Sequence, residues 1–109
     1  MYTGTVSEGK TMAIISYITF IGTLIAYIMN RDKRNSFASF HIRQAIGLLL
    51  LGFGINYLSR YLEFGWAGSI LSAGVLVLWI IGLLGAIKGE EKKVPLLGDQ
   101  FQEWFKSIG

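Results

Sequence analysis

The sequence predicts an all-α integral membrane protein, a bundle of about three transmembrane helices followed by a short amphipathic helix on the membrane surface. Its 109 residues are 52% hydrophobic and have a mean hydropathy of +0.50. That is more apolar surface than a small water-soluble core can hide. Two apolar stretches reach the roughly 18 to 20 residues that a helix needs to cross a bilayer, and a third nearly does. We therefore expect one membrane domain over residues 1–109.

The first span is expected over 12–29, a stretch without any charged residue. It is followed by Asn30 and then by a short basic segment that contains Arg31, Lys33 and Arg34, as is typical of a stop-transfer flank. A cleaved signal peptide is the alternative, but its apolar region would be shorter and would precede a small-residue cleavage site.

The second span is expected over 42–61, within a long helix that begins in the membrane interface. Arg43 and Arg60 are 17 residues apart, or about 25 Å along a helix. Each can therefore extend its charge to an opposite headgroup layer, so that neither is buried in hydrocarbon.

The third span is expected over 66–87, which carries no charge and ends at Lys88. Only a few residues separate it from the second span. The two helices should therefore form a tight antiparallel hairpin.

A short amphipathic helix is expected over 99–108, after Pro95 has ended the preceding helix. Its apolar residues recur at helical spacing, and we expect Phe101, Trp104 and Phe105 to anchor it in the interface. A tail that orders only against a partner is the alternative, because so short a helix is marginal alone.

The distribution of basic residues predicts an orientation. Eight of the ten flank the first connection or follow the third span, and only Lys10 and Arg60 belong to the other side. Because basic residues are retained in the cytoplasm, three spans place the N-terminus outside and the C-terminus in the cytoplasm. The same placement at the ends of apolar segments argues against a nucleic-acid surface, despite the net charge of +3.

Polar residues at the start of the second span form the candidate binding cluster, which comprises Phe40, His41, Arg43 and Gln44. At the cytoplasmic face it would bind a partner, a lipid headgroup or a helix end; the alternative is that it only anchors an interfacial helix. His41 is the only histidine and there is no cysteine. One chain therefore cannot assemble a two-histidine haem or a three-ligand zinc site, and we expect no cofactor, no metal and no enzymatic activity.

Three residues inside the spans are expected to pack helices together. Asn56 is the most polar of them and should form an interhelical hydrogen bond. Gly82 and Ala86 belong to a pattern of small residues four apart, which lets helix backbones approach closely.

Two segments of the sequence resemble those of a known family. They are Ser36-Phe37-Ala38-Ser39-Phe40-His41-Ile42-Arg43-Gln44-Ala45, at the start of the second span, and Ala86-Ile87-Lys88-Gly89-Glu90-Glu91-Lys92-Lys93-Val94-Pro95-Leu96, at the end of the third. They resemble a family of short bacterial membrane proteins of unknown function, labelled import-component-like because it is similar to the 20-kDa membrane subunit of the chloroplast inner-envelope protein translocon. The resemblance implies a multi-pass protein of the bacterial inner membrane. The family-defining positions are Phe40, His41, Gln44, Ala45, Gly89 and Pro95.

The leading functional hypothesis is a non-enzymatic, multi-pass membrane subunit, with protein translocation or a larger membrane complex as its context. Its partners would be the lipid bilayer and either another protein or further copies of itself, with no role for nucleic acid. The alternative is an oligomeric pore or small-solute transporter. No span carries a central ionisable residue, which weighs against an ion-coupled transporter.

Overall fold

The computed structural model describes residues 2–18, 20–63 and 65–107. Thr19 and Ile108, which belong to the expected first span and the expected surface helix, lie outside the described residues. Within the described ranges the chain forms five helices and no strand, so the all-α prediction is confirmed. The helices are α1 (Tyr2–Ile18), α2 (Phe20–Lys33), α3 (Ser36–Leu62), α4 (Trp66–Lys88) and α5 (Gly98–Trp104).

α3 and α4 are the two described helices that are long and apolar enough to cross a membrane. They include the segments 42–61 and 66–87 and are joined by a short connection. Only 17% of the most apolar part of α4 is buried within the molecule. A core helix of a soluble protein would be mostly buried, so the exposed apolar surface of α4 indicates a lipid environment.

The first apolar segment differs from the expectation of one span over 12–29. It is divided into α1 and α2, and these two helices pack against each other in an antiparallel hairpin. Met12 and Ala26 lie in one buried cluster although they are 14 residues apart, and the Thr23 hydroxyl donates to the Ser16 carbonyl at 2.5 Å. In a continuous helix, residues seven apart would lie about 10 Å from each other.

Gly22 lets the two arms of this hairpin approach closely. A Cβ atom at this position would overlap the carbonyl oxygen of Ile15. The correction to the sequence expectation therefore has a local cause: an apolar stretch of sufficient length for a span folds back because a glycine and a threonine face the backbone of the preceding helix.

Two asparagines organise the turn between α2 and α3. Asn35 is the N-cap of α3, and its side-chain oxygen accepts from the Ala38 N–H at 3.0 Å. Asn30 is fully buried; it accepts from the Asn35 N–H at 2.9 Å and donates to the Ser39 hydroxyl at 2.8 Å. Gly9 of α1 packs directly on this cap, because a Cβ there would overlap the Asn35 side chain.

The start of α1, the α2–α3 turn and the end of α4 all lie at one end of the bundle, which we call the basic end. Gly9 contacts Asn35, and a Cβ on Gly89 would lie 3.0 Å from Val6. The first segment therefore returns to the end from which it started, whereas a single span over 12–29 would end at the opposite end of the bundle. The predicted orientation, with the N-terminus outside and the C-terminus in the cytoplasm, stays a prediction.

Candidate functional site

The residues of the candidate binding cluster hold the C-terminal part of the same chain. The Phe40 carbonyl accepts from Gln102 Nε2 at 2.9 Å, and Arg43 Nη2 donates to the Lys106 carbonyl at 3.0 Å. Together with the bonds of His41 and Gln44 described next, these contacts join the start of α3 to residues 90–106. We call this set of hydrogen bonds the clasp.

Gln44 makes three of the clasp's hydrogen bonds. Its Nε2 donates to the Lys92 carbonyl at 3.1 Å and to the Tyr17 hydroxyl at 2.9 Å. Its Oε1 accepts from the Val94 N–H at 2.9 Å. The side chain is completely buried, so these bonds replace the water that its amide would otherwise bind.

His41 connects α1 to the segment that follows α4. Its Nε2 lies 2.8 Å from the Glu90 carbonyl and its Nδ1 lies 2.7 Å from the Tyr17 hydroxyl. A carbonyl can only accept, so Nε2 carries the proton and donates. Because Gln44 already donates to the Tyr17 oxygen, the arrangement that satisfies every group has the Tyr17 hydroxyl donating to Nδ1 of a neutral imidazole.

Aromatic rings enclose His41 on several sides. The rings of Phe37, Phe40 and Tyr17 contact it edge-on, with centroid distances of 4.8, 4.9 and 5.4 Å respectively. His41 is completely buried. In this apolar surrounding each hydrogen bond of the network is stronger than in water, and each unmade bond would be costly.

Two glycines, one within α4 and one directly after it, determine the shape of the clasp. Gly89 ends the helix with a φ of 77°, a left-handed conformation that favours glycine, and the Glu90 N–H then donates to the Gly85 carbonyl at 2.9 Å. This turn directs the chain back over α3. A Cβ at Gly82 would lie 2.8 Å from the Tyr17 ring and 3.1 Å from Gln44 Nε2, so only glycine leaves room for the network.

The clasp has a structural role, because its hydrogen bonds hold segments of the same chain together. His41 and Gln44 use their polar atoms within the chain, and neither is exposed. Among the residues that the structure describes, no three His, Asp or Glu side chains are grouped so that they could hold a metal ion. The hypothesis that this cluster contacts a separate partner stays a prediction.

The other predicted site residues fall in different environments. Gly82 and Ala86 are buried where α4 packs on the bundle, whereas Asn56 is exposed and lines a groove between α3 and α4. Phe101, expected as an interface anchor, is buried against Gly47 of α3.

The two remaining aromatic anchors of the C-terminal helix are more accessible than Phe101. Trp104 is 64% exposed, and Phe105 is partly buried against the core. α5 is thus attached to α3 through Phe101 and leaves Trp104 exposed, and its placement on a membrane surface stays a prediction.

Sequence reasoning missed Tyr17 and Asn30, both completely buried and both central to polar networks. Each is a polar residue within or at the end of an otherwise apolar stretch, and in hydrocarbon such a group needs a partner. That signal could have marked them. The carbonyls of Glu90 and Lys92, which pair with His41 and Gln44, belong to the backbone, so no residue type in the sequence indicates them.

The fold and the clasp define a small helical membrane protein whose C-terminal segment is locked onto its longest helix. Over residues 7–101 the chain matches the model of the magnetosome magnetite crystal formation protein family, and it belongs to that family. Two relatives are UPF0132 membrane proteins of Methanocaldococcus jannaschii. MJ1527 is 29% identical over 87% of this chain and 69% of its own length, and MJ1443 is 29% identical over 89% and 84%.

No solved structure matches the chain. The named relatives and the two apolar helices together support a membrane location. The expectation of a membrane protein family is confirmed, but the family and relatives provide no link to the chloroplast translocon subunit.

Proposed function

We propose that this protein is a non-enzymatic, multi-pass membrane subunit that acts by associating with further copies of itself in the bilayer. In this proposal α3 and α4 span the membrane, and the α1–α2 hairpin enters it from the basic end and returns. The clasp closes the basic end, which leaves the opposite half of α3 and α4 as the surface available for assembly.

The orientation follows from the basic residues. Nine of the ten lysines and arginines, all except Arg60, belong to the basic end. The positive-inside rule then makes the basic end cytoplasmic, with both termini on that side. This orientation replaces the N-out arrangement expected from the sequence.

The observation that carries the proposal is a polar groove between the halves of α3 and α4 remote from the basic end. It is lined by Asn56, Ser59, Ser72 and Gly68, with Arg60 at the end nearest the α3–α4 connection. The Ser59 hydroxyl is buried without a hydrogen-bond partner in the described part of the chain. A helix that supplies polar groups would be favoured there, because it would provide the bond that the Ser59 hydroxyl lacks.

Self-association explains this groove better than conduction does. Where it continues toward the basic end, its lining becomes apolar, with Leu48, Leu49 and Val75. A water-filled path needs polar groups along the whole thickness of the membrane, whereas a helix interface needs only a few. We therefore prefer an assembly subunit to the oligomeric pore or small-solute transporter.

The family description refers to magnetosome magnetite crystal formation. In this proposal, any contribution of the chain to such a process is made by assembly within a membrane. The proposal includes no specific role in protein translocation.

Single cysteines test the assembly surface directly, because the natural chain has none. Ser72→Cys places a thiol in the groove, and we expect it to form disulfide-linked dimers in native membranes under mild oxidation. Ala73→Cys is the matched control, at the same depth and about 100° further round α4. Failure of Ser72→Cys to cross-link more than Ala73→Cys would contradict the proposal.

A second variant measures the polar contact itself. Asn56→Leu should lower the association constant in detergent roughly threefold to tenfold, because an interhelical hydrogen bond in a membrane is worth about one kcal/mol. Tyr57→Leu, on the exposed neighbouring position, should leave it unchanged. An equal effect of the two substitutions would show that lipid solvation, and not a specific contact, holds the copies together.

A further inference from the structure

An apolar groove runs between α2 and α3, and a basic pocket lies where it reaches the basic end of the molecule. The groove has a volume of about 260 Å³ and is lined by apolar side chains, including Leu24, Ile46 and Phe53, together with Thr23 and Tyr27. The Thr23 hydroxyl is bonded to the Ser16 carbonyl. The groove therefore offers an apolar surface to whatever occupies it.

The basic pocket has a volume of about 120 Å³ and is lined by Tyr27, Arg31, Arg34 and Ser107. Neither arginine forms an ion pair within the described part of the chain. Two guanidinium groups without an acidic partner, beside two hydroxyl-bearing side chains, form a site that is complementary to a phosphate group.

Tyr27 lines both the pocket and the groove, so the two are adjacent parts of one surface. Arg31 and Phe20 mark its two ends and are 11 residues apart on α2. That separation is about 16 Å along a helix. It corresponds to half of a hydrocarbon core about 30 Å thick, or one leaflet.

We propose that this surface binds one anionic phospholipid, with its phosphate held by Arg31 and Arg34 and an acyl chain lying in the groove between α2 and α3. The Phe20 and Phe53 rings, 6.1 Å apart, close the deep end of the groove. The inference depends on the membrane location and the cytoplasmic basic end, and it does not require self-association.

The C-terminal segment completes the pocket. Arg43 donates to the Lys106 carbonyl, and this bond brings the neighbouring Ser107 to the two arginines. The lipid would thereby connect the α1–α2 hairpin to the clasp, which links the part of the chain that enters one leaflet to the part that closes the basic end.

Native mass spectrometry of the detergent-purified protein tests the site, with phosphatidylglycerol as the probe. We expect one phosphatidylglycerol to remain bound and the Arg31→Gln/Arg34→Gln variant to lower its affinity roughly tenfold or more. Lys88→Gln/Lys92→Gln is the matched control, since it removes two exposed charges from the same end of the molecule. Equal losses in the two variants would overturn the proposal in favour of general charge attraction.

Three further measurements, with Leu24→Trp, glycerol phosphate and phosphatidylcholine, separate an anionic lipid from other occupants. Leu24→Trp fills the groove and leaves both arginines intact, and it should also lower phosphatidylglycerol retention. Glycerol phosphate offers the same phosphate without acyl chains, so it should not displace the lipid at equal concentration. Unchanged retention in Leu24→Trp, displacement by glycerol phosphate, or equal retention of phosphatidylcholine would each overturn the assignment.

Discussion

At the scale of single residues, Gln44 has the largest structural role in the clasp. It is completely buried and connects α1, α3 and the segment after α4 through three hydrogen bonds. If the amide is removed, the Val94 N–H and the Lys92 carbonyl lose their hydrogen-bond partner, whereas the Tyr17 hydroxyl keeps its bond to His41. An unpaired buried polar group costs about 1 to 3 kcal/mol.

We expect Gln44→Leu to lower the free energy of unfolding by about 3 kcal/mol, because it leaves the Val94 N–H and the Lys92 carbonyl without partners. Gln100→Leu makes the same chemical change at an exposed position and should have an effect below about 0.5 kcal/mol. Thermal unfolding in detergent measures both. Equal melting temperatures for the two variants would show that the clasp contributes nothing to stability.

Only part of the clasp could be predicted from the sequence. His41 and Gln44 could be singled out because they are polar residues at the entrance of a span. Their hydrogen-bond partners could not be predicted from the sequence, because Glu90 and Lys92 contribute backbone carbonyls, which every residue type has. The sequence therefore indicated where polar groups need partners without indicating what those partners are.

At the scale of elements, α5 depends on one glycine of α3. A Cβ at Gly47 would overlap the Phe101 ring, which is only 3% exposed. α5 has seven residues and would not be stable alone. Its position is therefore set by this contact and by the hydrogen bond from Gln102 to the Phe40 carbonyl.

We expect Gly47→Ala to displace Phe101, to lower the free energy of unfolding by about 1 to 3 kcal/mol and to speed tryptic cleavage at Lys106. Gly54→Ala is the control on the same helix, because nothing lies within 4 Å of the added Cβ. That change should stabilise α3 by about 0.5 to 1 kcal/mol. Effects of the same sign for the two substitutions would rule out the steric explanation.

Elements differ in how well the sequence predicts them. α4 is apolar all round and mostly exposed, and a continuous apolar run of its length has few structural alternatives. The segment 12–29 is equally uncharged, but whether it forms one helix or two depends on the contacts of Gly22 and Thr23 with the preceding turns. Composition cannot distinguish a span from a hairpin of two shorter helices, because both bury apolar residues.

At the scale of the whole molecule, the position of the termini tests the proposed topology. We expect Ser7→Cys and Ser107→Cys to react with a membrane-impermeant thiol reagent only after the cells are permeabilised. Glu63→Cys, in the connection at the opposite end, should react in intact cells. All three positions are exposed in the folded chain, so a difference in labelling reports the side of the membrane. Labelling of Ser7→Cys in intact cells would restore a single span over 12–29.

The folded-back first segment also affects how the protein is made. A nascent chain that has just left the ribosome presents 12–29 as an uncharged stretch of 18 residues before a basic segment, which are the length and the flank expected of a span. The residues that hold the hairpin in place, among them Ser39, His41 and Ile42, are synthesised later. The full set of contacts around the hairpin is therefore available only once α3 has been synthesised.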